Sequence, residues 1–333
     1  MKKIRIAQIG TSQHSHGTVV WKSLLKQKDI FEVVGYHFPE NEREKFPKEM
    51  PHFEGFRELT LEEILKDPTI EAVTVETEEI YLTKYAQLAA KHGKHIHMEK
   101  PGGKDPEAFR KLIDTVKEKG STFHIGYMYR YNPYVQEAIA KAKSGELGDV
   151  YCVEAQMSCP EPLELRQWLE VFPGGMMFFL GCHLIDLVLQ IMGKPDAILP
   201  MNGSVGFEGA RNEDYGFAIL QYKGIPSFVK TCGWEIGGFE RRQLVICGTQ
   251  GSLELKPLEW YTPEGLRTQM RECKGAVWTA PGNCTWSPGV DRYDDMLASF
   301  ARMVRGEKEN PYTYDYELEL YQTILKCCGV EEK

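Results

Sequence analysis

No stretch of this 333-residue chain stays apolar for the ~20 residues that a helical membrane span requires; the nearest approach, 176–192, is interrupted by His183 and Asp186. Positive charge is not in surplus either. Forty Lys and Arg against 48 Asp and Glu leave a net charge of −8 with no basic stripe, so nucleic-acid binding by phosphate neutralisation is not expected. Nothing resembles an apolar leader, because Met1-Lys2-Lys3-Ile4-Arg5 runs straight into a strand pattern, and a cytoplasmic location is the expectation. The nine cysteines are odd in number and scattered, with no Cys-x-x-Cys, and Cys327 and Cys328 are adjacent. Reduced thiols and no structural zinc follow. His14-x-His16 and His95-x-His97 each lack a third ligand nearby in sequence, so no metal is assigned. Internal repeats and low-complexity tracts are absent as well.

What is present is a change of rhythm part-way along. The first ~125 residues alternate strand and helix, the signature of a parallel sheet with crossover helices. Strands are predicted at 4–9, 31–36, 72–76, 95–98 and 122–125, and helices at 18–26, 60–66, 81–92 and 106–119. After a helix at 133–143 come strands rich in aromatic and β-branched residues (150–157, 216–222, 227–234, 241–247, 252–256), with a helix at 175–192 among them. Short turns between these strands fit an antiparallel meander. Two helices, 293–305 and 316–327, close the chain. The length allows about two domains, and the boundary is placed between residues 125 and 126.

Lys100 ends the strand 95–98 in the run Glu99-Lys100-Pro101. A lysine there stands at the carboxyl edge of a parallel sheet, where open α/β folds bind ligands. The first strand runs into Gly10-Thr11-Ser12-Gln13-His14-Ser15-His16-Gly17 and a helix. A dinucleotide fold places G-x-G-x-x-G at this point; here Gly10 is kept and Ser12 and Ser15 stand in for the other two glycines. At the end of the second strand, where an acidic residue normally accepts the adenosine ribose hydroxyls, the register puts Phe38. Glu40 or Asn41 could reach the ribose from the loop and Arg43 could meet a 2′-phosphate, so NAD and NADP both stay open. The acidic cluster Glu76, Glu78, Glu79 lies at the end of the third strand, either facing water or repelling a pyrophosphate.

Tyr127, Tyr129 and Tyr131 alternate with Met128, Arg130 and Asn132. A period of two puts the tyrosines on one strand face, either as core or as a ligand edge. Further on, Phe179, His183 and Asp186 are spaced i, i+4, i+7, one face of a helix. Asp186 could there fix the tautomer of a proton-transferring His183.

These pieces occur in the order seen in the Gfo/Idh/MocA oxidoreductases. They are Gly10, Thr77, Gly93 to Pro101, Gly126 to Pro133, Gly174-Gly175 with Gly181-x-His183-x-x-Asp186, and Gly248-Thr249-x-Gly251-Ser252. The chain resembles that family over essentially its whole length. The resemblance implies an α/β fold: an N-terminal Rossmann dinucleotide-binding domain (1–125), then a C-terminal α+β domain (126–333) with a large, mostly antiparallel open sheet for substrate binding and oligomerisation. It implies a cytoplasmic homodimer or homotetramer that moves hydride between NAD or NADP, NAD being favoured, and a sugar, cyclitol or related polyol. Carried over by residue, Lys100 and His183 would be catalytic. Gly10, Thr11, Ser12, Gln13, His14, Phe38, Thr77, Glu99 and Lys100 would border the cofactor, and Tyr129, Asn132, Arg166, Trp168 and His183 the substrate. A lysine beside a cationic nicotinamide can give up its proton and polarise or deprotonate a hydroxyl while hydride leaves carbon. The chain departs from the family where an aspartate often stands four residues before the helix histidine; it has Phe179. Two alternatives follow, a non-catalytic ligand sensor or partner protein on the same fold, and an enzyme that retains NAD while cleaving glycosides.

Overall fold

The computed structural model describes residues 2–275, 278–279 and 282–331. Two compact units form, one from the chain up to Tyr127 together with Tyr293–Leu318, the other from Met128–Arg292 together with Glu319 onward.

The first unit is built on five parallel strands, β1 (Ile4–Ile9), β2 (Phe31–His37), β3 (Ala72–Val75), β4 (His95–Met98) and β5 (Phe123–Ile125), in the order β2-β1-β3-β4-β5. β3 is buried at every position and β4 at all but its first, as a sheet covered on both faces by helices requires. The helix Gly17–Lys26 turns Val20, Trp21 and Leu24 inward. Ile4, Ile6, Val20 and Leu24 pack with Leu297, Phe300 and Ala301 of the late helix Asp294–Val304, which thereby completes the core of this unit.

Local chemistry explains where its helices begin. Thr60 and Glu63 make a reciprocal capping box on Leu61–Lys66. Asp105 accepts the Glu107 and Ala108 amides with Pro106 as the first helical residue of Pro106–Lys119, and Gly120 ends that helix in the left-handed region. Each device satisfies backbone groups that a helix end otherwise leaves orphaned.

In the second unit eight strands form one open sheet. They are β6 (Val150–Ser158), β7 (Ala197–Pro200), β8 (Tyr215–Tyr222), β9 (Ile225–Cys232), β10 (Gln243–Gly248), β11 (Gly251–Leu255), β14 (Gln269–Lys274) and β15 (Asn283–Trp286), with β12 (Trp260–Thr262) and β13 (Gly265–Arg267) as a separate ribbon. The order is β15-β14-β11-β10-β6-β9-β8-β7. All pairings are antiparallel except that of β6 with β9. The helix Cys182–Met192, buried from Cys182 to Leu189, packs against β6.

Two expectations need correction here. Met128–Tyr131 is a tight 3-10 turn with all four side chains buried, so the tyrosines do not share a strand face. Asn132 caps the helix Pro133–Ser144 through the Tyr134 and Val135 amides, and the chain turns to enter that helix instead of extending. The segment Met177–Gly181 is π-helical and precedes Cys182–Met192. Its wider turn breaks the even 3.6-residue phase, leaving Phe179 half-buried and His183 2% exposed. All nine cysteines are free thiols, and no helix among the described residues is long and apolar enough to cross a membrane.

Candidate active site

At the carboxyl ends of β1, β3 and β4, the first unit gathers side chains that chains seldom bury. The loop after β1 starts at Gly10, whose φ of +84° suits glycine; a Cβ there would lie 2.7 Å from the Thr77 Cα and amide nitrogen. This close approach of the β1 and β3 loops marks the switch point where dinucleotide folds open their crevice. Gln8, fully buried, pins the loop by donating to the carbonyls of Gly10 and Gly17, each at 3.0 Å.

The serines that replace the family's glycines have specific partners. Ser12 Oγ accepts the His14 amide at 3.1 Å and the Ser15 amide at 2.9 Å. Ser15 Oγ accepts the amides of Ser12 at 3.0 Å and Gly17 at 3.2 Å, and donates to the Glu76 carbonyl at 3.0 Å. Gln13 is exposed beside His14, their side-chain nitrogens 3.0 Å apart. Thr11 gives its amide to Glu42 Oε2 at 3.0 Å. Five loop amides thus bond to oxygens of the protein itself.

Lys100 is 1% exposed and follows Glu99, its Nζ 3.7 Å from Glu99 Oε1. Glu99 Oε2 takes the half-exposed His16 Nδ1 at 2.9 Å, and the His16 charge is the first of several that hold this carboxyl below its ordinary value despite burial. His97 pairs Nδ1 to Nδ1 with His124 at 2.7 Å and lies 3.6 Å from Glu76. Burial pushes its imidazole down to about 4, so it is neutral at physiological pH.

The acidic cluster divides. Glu78 takes Lys45 at 2.8 Å, whereas Glu76 and Glu79 are fully buried and, among the described residues, neither carboxyl oxygen of either has a hydrogen-bond partner. Burial raises Glu79 to about 8, against the pull of the Lys100 charge, and raises Glu76 well above 4.5. Glu42 is raised to about 9 by burial, opposed by the Thr11 amide. Glu42 and Glu79 therefore keep their protons near pH 7 and Glu76 is pushed the same way, so these acids carry less negative charge than the sequence suggests. Phe38 packs against Tyr36 and Phe53 with the Arg43 guanidinium over its ring.

In the second unit, His183 meets the Tyr129 ring edge-on at 5.3 Å. Asp186, three residues on, is buried. Its carboxylate takes Arg130 Nε at 3.0 Å and Nη2 at 2.8 Å, with Gln190 at 2.9 Å. Tyr129 donates to Glu259 at 2.7 Å, and Arg242 and Arg292 hold the same carboxylate. Burial raises the Tyr129 phenol. Asn132 is the helix cap and donates to Thr268 at 2.7 Å. Arg166, fully buried, binds Asp214 at 3.2 Å and Glu208, with its guanidinium over the Trp234 ring. Trp168 packs edge-to-face on Phe179 at 5.6 Å, and both are half-buried.

The Gly-Gly turn that leads to this helix is fixed from two sides. Glu213 accepts the Gly174 amide on its carboxylate at 2.9 Å and the Met176 amide on its carbonyl at 2.8 Å. A Cβ on Gly174 would lie 2.7 Å from the Cys328 Cα. Sequence reasoning missed Gln8, Glu42 and Glu213. None carries a motif; Glu42 sits in the charged run Glu40 to Lys45, which reads as a solvated helix.

A Rossmann unit with a buried lysine at its strand edge, followed by a unit with a large open sheet, defines the class. The chain belongs to the Gfo/Idh/MocA oxidoreductase family. The family's oxidoreductase model, an NAD-binding Rossmann fold, matches residues 4–127, and its C-terminal-domain model matches 135–254. Among curated relatives, trans-1,2-dihydrobenzene-1,2-diol dehydrogenase of Xenopus laevis is 23% identical over 269 residues, 79% of each chain. The scyllo-inositol 2-dehydrogenase (NADP(+)) IolW of Bacillus subtilis is 27% identical over 208 residues, 62% of this chain and 57% of that protein. Among solved structures, a candidate NADPH-dependent oxidoreductase of Desulfitobacterium hafniense superposes with a TM-score of 0.83 at 20% identity, over 99% of this chain and 95% of that one.

The residues present fit a dinucleotide. The close Gly10–Thr77 approach, the orphaned buried oxygens of Thr11, Glu42, Glu76 and Glu79, and the suppressed charge of the acids all occur at the switch point. Neutral carboxyls both donate and accept, and so suit a ligand edged with hydroxyl and carboxamide groups.

Proposed function

We propose that the protein is an NAD(P)-dependent dehydrogenase or reductase of a sugar, cyclitol or related polyol. The observation that carries this reading is Lys100, a lysine 1% exposed at the carboxyl edge of the family's dinucleotide sheet. The relatives named for diol and inositol substrates support a vicinal hydroxyl as the reacting group. Gly10, Thr11, Ser12, Gln13, His14, Thr77 and Glu99 would border the cofactor, with Phe38 toward its adenosine end. When bound, the nicotinamide supplies the two-electron chemistry. Lys100 supplies positive charge to the developing alkoxide, and His183 takes the hydroxyl proton. Trp168 and Phe179 offer an apolar edge to a ring face. Tyr129, Asn132 and Arg166 act mainly by fixing the second unit, since each is already bonded within it. The stacked pair Phe217–Phe228 on the open sheet favours a second copy of this chain as the protein partner.

The test is a calorimetric titration with NAD⁺, NADH, NADP⁺ and NADPH after checking the purified protein for carried-over nicotinamide, followed by a polyol screen read at the reduced-nicotinamide absorbance. Saturable binding and turnover of at least one polyol are expected. No binding of any of the four to a protein that arrives free of nicotinamide would refute the reading. The self-bonded loop amides and Phe179 would then point to a ligand sensor.

A further inference from the structure

The loop after β1 also sends one ring toward the buried cluster at the end of β4. His16 immediately precedes the helix Gly17–Lys26, and its Nδ1 lies 2.9 Å from Glu99 Oε2. An ionised carboxylate only accepts, so Nδ1 carries the proton and donates. The other oxygen, Glu99 Oε1, stands 3.7 Å from Lys100 Nζ and has no hydrogen-bond partner among the described residues. The side chains of Glu99 and Lys100 are each 2% exposed and that of His16 is 26% exposed. A row of imidazole, carboxylate and ammonium thus runs from solvent to the buried lysine.

Other ionisable groups crowd the same carboxylate. His97, bonded to His124 of β5, lies on its own strand, Glu76 follows β3, and Glu79 opens the turn Glu79–Tyr81. The Tyr293 ring stands 5.4 Å from that of His16, and a Cβ at Gly126, just after β5, would lie 3.4 Å from Glu99 Oε2. Burial opposes the charge on Glu99, and His16 is the first of the groups that keep it ionised, ahead of Lys100 and His97. Burial pushes Glu76 and Glu79 the other way, which leaves Glu99 as the anion facing the lysine.

We infer that His16 is a positioning residue for Lys100: by fixing the Glu99 carboxylate it sets the place of the ammonium at the reacting hydroxyl, an inference that rests on the dehydrogenase reading above. A charge-assisted hydrogen bond is short and directional, so it orients its acceptor as well as favouring its charge. Without His16, Glu99 is free to turn and to take up a proton, and Lys100 loses the fixed anion beside it.

The experiment compares wild type, His16→Asn and His16→Ala, with melting curves to confirm folding. In dinucleotide-free protein labelled at the glutamate carboxyl carbons, the Glu99 signal, identified by its absence from Glu99→Gln, is followed against pH by NMR. With dinucleotide and a polyol, kcat and KM are measured over the same range, and dinucleotide affinity by calorimetry. His16→Ala should raise the pH at which Glu99 takes up its proton, and the acid limb of kcat should move up with it. It should lower kcat roughly tenfold while KM and dinucleotide affinity stay within about twofold. His16→Asn, whose amide nitrogen takes the place of Nδ1, should recover most of kcat; if the alanine variant does not fold, the asparagine variant should still shift the Glu99 signal upward, having lost the charge. A kcat unmoved by both substitutions would overturn the assignment even with a shifted Glu99 signal. A loss confined to dinucleotide affinity would overturn it too, making His16 a part of the cofactor loop alone. Failure of the wild type to bind any dinucleotide would bring down the dehydrogenase reading and the role at the hydroxyl with it, while the Glu99 signal separately decides whether His16 holds the carboxylate.

Discussion

Replacing Glu79 with glutamine should flatten part of the protein's stability profile against pH. The Glu79 carboxyl is buried without a hydrogen-bond partner among the described residues and keeps its proton up to about 8, whereas in the unfolded chain it releases it near the ordinary 4.5. Between those values the native state holds one more proton than the unfolded state, so unfolding becomes easier as pH rises. The slope is about 1.4 kcal/mol per pH unit, which from pH 5.5 to 7.5 amounts to roughly 3 kcal/mol. Glu76 and Glu42 push the same way, since burial raises both. His97, lowered to about 4, works in the opposite sense below 6.5, where the unfolded imidazole gains a proton that the folded one refuses. Comparing wild type with Glu79→Gln cancels these shared contributions. The amide cannot ionise, so its other effects on stability are a constant offset. Urea titrations at pH 5.5 and 7.5 should show the variant gaining on the wild type by roughly 3 kcal/mol across that interval. Parallel profiles for the two proteins would refute the claim that Glu79 is neutral in the folded state.

Two further substitutions probe the second unit. Arg130→Met strands the buried Asp186 carboxylate and should cost about 3–5 kcal/mol by urea denaturation, with Arg130→Met/Asp186→Leu recovering much of it; a single variant as stable as wild type would remove the pair from the account. Phe179→Asp restores a carboxylate four residues before His183 at a half-buried position. It should remain folded, lose about 1 kcal/mol with the Trp168 ring contact, and raise polyol-dependent reduction of nicotinamide at least tenfold, whereas an unchanged rate would show that the missing carboxylate does not limit turnover.

The parallel sheet was legible because its strands and caps are written locally. Asp105-Pro106 and Thr60-x-x-Glu63 mark helix starts, and the strand at 95–98 stands where its apolar run ends at Lys100. The place of Gly10 followed from that register, and Thr77 came from the family resemblance. The tyrosine alternation misled because the Asn132 cap outweighs a short period-two pattern. The even spacing of Phe179, His183 and Asp186 misled because a π-helical turn has no clear mark in residue type. Partners of buried charges were not legible at all. That Asp186 goes to Arg130, or that Glu42 goes to the Thr11 amide, is settled by tertiary packing across 56 and 31 residues respectively.

Cys328 illustrates what such long-range packing means for inheritance. It is a small, buried thiol near the far end of the described chain. Yet its backbone and side chain fill the space against Gly174, the turn from which the π-helical segment and then the His183 helix depart. A bulkier residue at 328 would press on that turn directly. In a genetic screen such an allele would score with loss of the proposed catalytic histidine, and suppressors would be sought to best effect around Gly174 and Glu213.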